Sequence, residues 1–140
     1  MSYVINANVL MSALISGKAF YKTIFGSLDI LLPEFALVEI EKYKETIFQK
    51  SKLDEVAMSC YTLNLFQQLT ILPNYFLSTN ALAEANRLIV HVDVKDISYL
   101  ALAIQTNSML LTRDQPIYKA ARQNGFRRIM LFDDFLRQYL

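Results

Sequence analysis

Short apolar runs alternate with helical patterns along almost the whole chain, and this alternation constrains the fold more than any other feature. Tyr3 to Ile5, Ile30 to Leu32, Thr70 to Leu72, Met109 to Leu111 and Ile129 to Phe132 are brief apolar runs of the kind that form buried strands. Between them, apolar residues recur at three- and four-residue spacing. Strand and helix in alternation require right-handed crossovers and a mostly parallel sheet flanked by helices, an α/β three-layer sandwich. In such sheets functional groups gather at the carboxyl ends of the strands.

The individual elements follow from local signals. Asn6-Ala7-Asn8 ends the first strand, and Val9, Leu10, Ala13 and Leu14 then mark a helix that stops at Gly17. A short helix is predicted over Lys18 to Ser27. Pro33 closes the second strand and, with Glu34, opens a long helix carrying Ala36, Leu37, Ile40, Tyr43, Ile47 and Phe48 as its apolar stripe. The next helix, from about Leu53, is predicted to bury Leu53, Val56, Cys60, Leu63 and Phe66, which makes Cys60 a buried thiol. After a loop to Ser78, a helix from Thr79 carries Leu82, Ala85, Leu88 and Ile89. The strongest helical pattern is Ile97, Leu100, Ala101 and Ile104. A helix from Gln115 to Gln123 stops at Asn124-Gly125, and a short helix ends the chain.

At 140 residues with no linker-like stretch, one domain over 1–140 is expected. Fourteen Lys and Arg against thirteen Asp and Glu leave a net charge of +1, which excludes a strongly basic nucleic-acid arm. The 54% hydrophobic content exceeds what a chain of this size readily buries and points to a partner or a second copy. Cys60 and His91 are the single cysteine and histidine, so neither a disulfide nor a zinc set nor a Cys/His or Ser/His/Asp arrangement is in evidence. The catalytic chemistry available is therefore mainly that of carboxylates and metal ions. The start Met1-Ser2-Tyr3-Val4 lacks a basic segment and no apolar run approaches a membrane span, so a soluble, cytoplasmic protein is expected.

Polar groups at strand ends or at the starts of core helices are few. Asn6 ends the first strand, Asp93 and Asp96 open the Ile97 helix, Asp114 follows the Met109 strand, and Glu39 stands on the Pro33 helix. Carboxylates brought together repel one another unless a cation lies among them, so convergence of these groups reads as a divalent metal site, and oxygen ligands favour Mg²⁺ or Mn²⁺. Each acid also has an ordinary role. Asp93 and Asp96 suit a helix N-terminus, Asp114 suits the cap of the next helix, and His91 suits a structural position between Val90 and Val92. Glu39 and Glu41 are about 200° apart around their helix, so only one faces a given pocket. From position 113 to 128, Arg113, Lys119, Arg122, Arg127 and Arg128 stand against the single acid Asp114. That local excess of positive charge suits either a phosphate-gripping rim or an ordinary solvated surface.

Taken in order, Val4 to Leu10, Pro33 to Glu41, Asp93-Val94-Lys95-Asp96 with Ala101-Leu102-Ala103 behind it, and Leu111-Thr112-Arg113-Asp114 resemble the PIN domain, the nuclease fold of VapC-type toxins and related ribonucleases. The resemblance spans nearly the whole chain. It implies a Mg²⁺- or Mn²⁺-dependent endoribonuclease that hydrolyses RNA phosphodiester bonds. By the same resemblance Glu39, Asp96 and Asp114 are metal-site acids, Asp93 is an additional acid, and Thr112 is a supporting hydroxyl. Asn8 and Ser12 match polar positions after the first acid, and Arg113, Lys119 and Arg122 are placed to hold phosphate. A homodimer and a small antitoxin protein are the implied partners. The departure is Asn6, which stands where the first aspartate of the family is expected. Either an engineered Asp-to-Asn change or a natural pseudo-nuclease that retains the fold as an RNA- or protein-binding module accounts for it.

Overall fold

The computed structural model describes residues 1–90, 92 and 94–139. Strands β1 (Ser2–Ile5), β2 (Asp29–Pro33), β3 (Leu69–Leu72), β4 (Met109–Thr112) and β5 (Ile129–Leu131) form one sheet in the order β3-β2-β1-β4-β5, and every pairing is parallel. In register, Tyr3 lies beside Ile30 and Met109, and Ile5 beside Leu111. Val4, Ile5, Leu110 and Leu111 are buried, as expected for central parallel strands covered on both faces. The chain winds outward from β1 to β3, then returns to the other side of β1 to build β4 and β5. The order therefore reverses between β1 and β4, and a crevice opens there at the carboxyl ends of the strands.

Helices α1 (Ala7–Ser16), α2 (Ala19–Gly26), α3 (Phe35–Lys42), α4 (Lys44–Lys50), α5 (Glu55–Phe66), α6 (Thr79–Leu88), α7 (Ile97–Thr106), α8 (Gln115–Gln123) and α9 (Phe132–Tyr139) cover the sheet. The Asn6 side chain caps α1, and Gly17 ends it at φ 65°, a left-handed conformation that favours glycine. A Cβ at Gly17 would also come within 2.8 Å of Leu53. Helix α7 buries Tyr99 to Ala103 without interruption, because it lies between the sheet and α6.

Several sequence expectations are corrected. The long helix after Pro33 breaks at Tyr43 into α3 and α4, so Ile47 is buried while Leu37 and Phe48 stay exposed. The buried residues of α5 are Met58, Tyr61 and Leu65, whereas Val56, Leu63 and Cys60 face outward. Helix α5 is apolar on both flanks, so spacing alone selects no side. The inward face is fixed by Tyr61, whose hydroxyl donates to the Lys18 carbonyl at 2.9 Å. The Lys22 ammonium also lies 5.6 Å from the Tyr61 ring centre. Leu82 is partly exposed on α6, and Phe132 begins α9 rather than ending β5. His91 and Asp93 lie outside the described residues. Among the described residues, no helix is long and apolar enough to cross a membrane.

Candidate active site

Asn6 stands at the carboxyl end of β1, in the crevice. Its backbone N–H donates to the Leu111 carbonyl of β4 at 3.0 Å, which continues the sheet pairing and fixes where the side chain begins. The side chain is 4% exposed. Its oxygen accepts from the Asn8 N–H at 3.4 Å, as an N-cap does, and its amide nitrogen donates to Asp96 Oδ1 at 3.2 Å. Asp96 ends a 3-10 turn (Val94–Asp96) at the start of α7 and is 7% exposed. It stands at the N-terminus of α7 but makes no side-chain cap bond to that helix.

Glu39 reaches the same region from α3. Its Oε1 accepts from the hydroxyl of Tyr99 at 2.5 Å. Tyr99 lies one turn after Asp96 on α7 and is fully buried. Burial, reinforced by the Glu39 carboxylate and by the charge of Asp96, pushes the Tyr99 hydroxyl well above the ordinary tyrosine range, against the opposing effect of a hydrogen bond with the Ala7 backbone. This upward shift favours the protonated tyrosine, the form that donates to Glu39. Glu41, by contrast, is exposed and pairs with Lys44 at 2.9 Å. Of the two glutamates, Glu39 is thus the one joined to Tyr99 of α7. Tyr99 was not singled out by sequence. Its position three residues after Asp96, on the same helical face, is the signal that could have found it.

On the β4 side, Thr112 is buried and its hydroxyl accepts from the Asp114 N–H at 3.0 Å. Asp114 turns to cap α8, accepting from the Ile117 N–H at 3.2 Å. Asn8 and Ser12, on one face of α1, both engage Arg113. The Asn8 side-chain oxygen accepts from the Arg113 backbone N–H at 3.2 Å, and the Ser12 hydroxyl accepts from its guanidinium at 2.9 Å. The guanidinium also pairs with Asp133 at 3.2 Å and lies 5.8 Å from the Phe132 ring centre. Lys119 is exposed on α8, and Arg122 is half-buried with its guanidinium 5.5 Å from the Tyr118 ring centre. Along the axis of α8 they lie about 7 and 12 Å beyond Asp114.

The crevice thus brings Asn6, Asp96, Tyr99 and Glu39 into one connected region, with Thr112, Arg113 and Asp114 beside it. Asp93, one of the acids expected in the cluster, lies outside the described residues. Among the described residues, no three Asp, Glu, His or Cys side chains are grouped to hold a metal ion. The physical reason is that each candidate is otherwise engaged: Asp96 by the Asn6 amide, Glu39 by Tyr99, and Asp114 by its cap.

These polar side chains stand at the reversal point of a parallel sheet, where open α/β sheets bind their ligands. The chain belongs to the PIN domain family, whose pattern it matches over residues 4–129. PIN domains form a nuclease superfamily whose members generally depend on divalent metals. The fold is similar to that of PAE2754 from Pyrobaculum aerophilum, with a TM-score of 0.66 at 16% sequence identity, over 99% of this chain and 94% of that one. No curated protein matches the sequence.

Proposed function

We propose that this chain is built as a metal-dependent endoribonuclease of the VapC toxin type, closed at Asn6. The observation that carries this reading is the buried hydrogen bond from the Asn6 amide to Asp96. An amide N–H offsets part of the carboxylate charge locally, as a cation does among several carboxylates. An aspartate at the same place would face Asp96 with like charge and create a demand for a cation. Mg²⁺ or Mn²⁺, when bound in such a site, supplies activation of water and neutralisation of charge on phosphate.

In this reading Asp96, Glu39 and Asp114 are the acids of the site, with Asp93 as an additional one and Thr112 holding the turn that carries Asp114. Tyr99 positions Glu39. Asn8 and Ser12 fix Arg113, which with Lys119 and Arg122 forms a cationic path for the RNA backbone. A small antitoxin protein is the partner this reading brings with it.

The test is cleavage of an end-labelled single-stranded RNA in Mn²⁺ by the chain as it stands and by Asn6→Asp, with EDTA as a control. Cleavage confined to Asn6→Asp supports the proposal. A folded Asn6→Asp protein that leaves the RNA intact overturns it and makes the chain a binding module.

A further inference from the structure

Of the three cations in the proposed RNA path, Arg113 stands next to Asp114 in the chain and is already ion-paired. Thr112 of β4 lies in register with Leu131 of β5, so the residues that leave these strands, Arg113 and Phe132-Asp133, emerge side by side at the carboxyl edge. The Arg113 guanidinium donates through Nη1 to the Ser12 hydroxyl and through Nη2 to Asp133 Oδ1 at 3.2 Å. The Phe132 ring lies against the same group. Lys119 and Arg122 form no ion pair among the described residues.

We propose that Asp133 is a built-in competitor for RNA. Its carboxylate occupies Arg113 in the free protein, and an RNA phosphate must take its place before Arg113 joins the cationic path. The proposal rests on the nuclease reading and names a residue that controls how that site admits its substrate.

Three observations support it. A carboxylate oxygen and a phosphate oxygen are alternative acceptors for the same guanidinium N–H groups, so one stands in for the other without rebuilding the site. The pair is open to solvent, with the Arg113 and Asp133 side chains 38% and 70% exposed, and an ion pair so screened is weak enough to exchange.

The third observation is the mount. Asp133 stands in the first turn of α9, where negative charge suits the positive end of the helix dipole. Phe132 and Phe135 of that helix are buried, and the Phe135 ring meets Tyr3 of β1 edge-on at 5.3 Å. The carboxylate is therefore held in place, and the long arginine side chain is the part that moves. Once phosphate has taken Arg113, the bare Asp133 also opposes the RNA by like charge. Asp134, the next residue, pairs instead with Arg137 along α9, which supplies an internal control.

The test is binding of a fluorescein-labelled single-stranded RNA, followed by anisotropy at low salt. Asp133→Asn should tighten binding about 3–10-fold relative to the chain as it stands. Asp134→Asn removes the same charge and also frees an arginine, but one outside the path, and should change binding less than about two-fold. In an Arg113→Ala background the gain from Asp133→Asn should shrink to that of the control. Circular dichroism checks folding, and Asp133→Ala repeats the test with a second side chain. Unchanged binding by Asp133→Asn, equal gains from the two Asp→Asn changes, or a gain undiminished without Arg113 overturns the proposal. In those cases RNA binding that is weakened by Arg113→Ala leaves the RNA path of the nuclease reading standing. Absence of RNA binding by the parent and by Asp133→Asn alike overturns both.

Discussion

The two halves of the carboxyl edge hold their polar groups in different ways. On the β1 side, Asn6, Asp96 and Tyr99 are buried, the hydrogen bond joining Asn6 to Asp96 is buried, and the one joining Tyr99 to Glu39 is partly so. On the β4 side, Arg113 and Asp133 are largely exposed, and their ion pair at 3.2 Å is screened by solvent. The same kinds of atoms are involved, but burial gives each lost partner on the β1 side a far larger cost. Polar groups on the β1 side are therefore held by specific partners, whereas those on the β4 side can exchange partners with solvent.

The largest effects should arise on the buried side. In an Asn6→Asp background that cleaves RNA, adding Glu39→Gln or Asp96→Asn should lower cleavage about 100-fold or more, read in a single-turnover assay. Next is Tyr99→Phe, which removes the donor of the Glu39 carboxylate. It should cost about 1–3 kcal/mol in urea unfolding, towards the lower end because Glu39 is only half-buried. Equal stability of Tyr99→Phe and the parent would erase the contrast between the two halves.

Smaller effects sharpen the contrast from the other side. Asp114→Ala should cost about 1 kcal/mol through the α8 cap, whereas Asp114→Asn retains the capping oxygen and should cost only a few tenths. Because both changes remove the carboxylate, a comparison of stability with cleavage separates its two roles. Arg113→Ala should cost about 1 kcal/mol or less, yet weaken RNA binding and flatten its salt dependence.

The smallest effect concerns alkaline pH. Burial, with a lesser contribution from Tyr21, pushes the Tyr61 hydroxyl up to about 12. The unfolded tyrosine loses its proton near pH 10, so the stability linked to Tyr61 is complete below that pH and is lost as pH rises through about 12. Tyr61→Phe should flatten the stability curve between about pH 10 and 12, measured by chemical unfolding at successive pH values.

Much of the frame was legible because its boundaries carry local chemistry. Asn6 and Asp114 cap their helices, Gly17 ends α1, and Asn124 ends α8. The break at Tyr43 was not legible, since no glycine or proline lies between Glu34 and Lys50, and the turn is set by packing of Ile47 against the core. Nor was the inward face of α5, because apolar residues occupy both sides and a contact with the distant Lys18 decides between them. In the site, the sequence located Asn6, Glu39, Asp96 and Asp114 at the right edge of the sheet. It did not disclose the partners that engage Asn6, Asp96 and Glu39. Those neighbours are distant in the chain, Tyr99 from Glu39 by 60 residues and Asp96 from Asn6 by 90, where periodicity carries no information.

The central claim is that the Asn6 amide stands in for a cation beside Asp96. Its most direct test is the thermal stability of the parent, Asn6→Asp, and Asn6→Asp/Asp96→Asn, each with and without Mn²⁺. The parent should be indifferent to the ion. Without it, Asn6→Asp should lose about 2 kcal/mol or more at neutral pH, since the paired carboxylates repel. The deficit should shrink as pH falls and one of the pair takes up a proton, because protonation then favours the folded state. Mn²⁺ should restore Asn6→Asp by mass action, and the second substitution should abolish that response. An Asn6→Asp protein as stable as the parent and unmoved by Mn²⁺ would contradict the account.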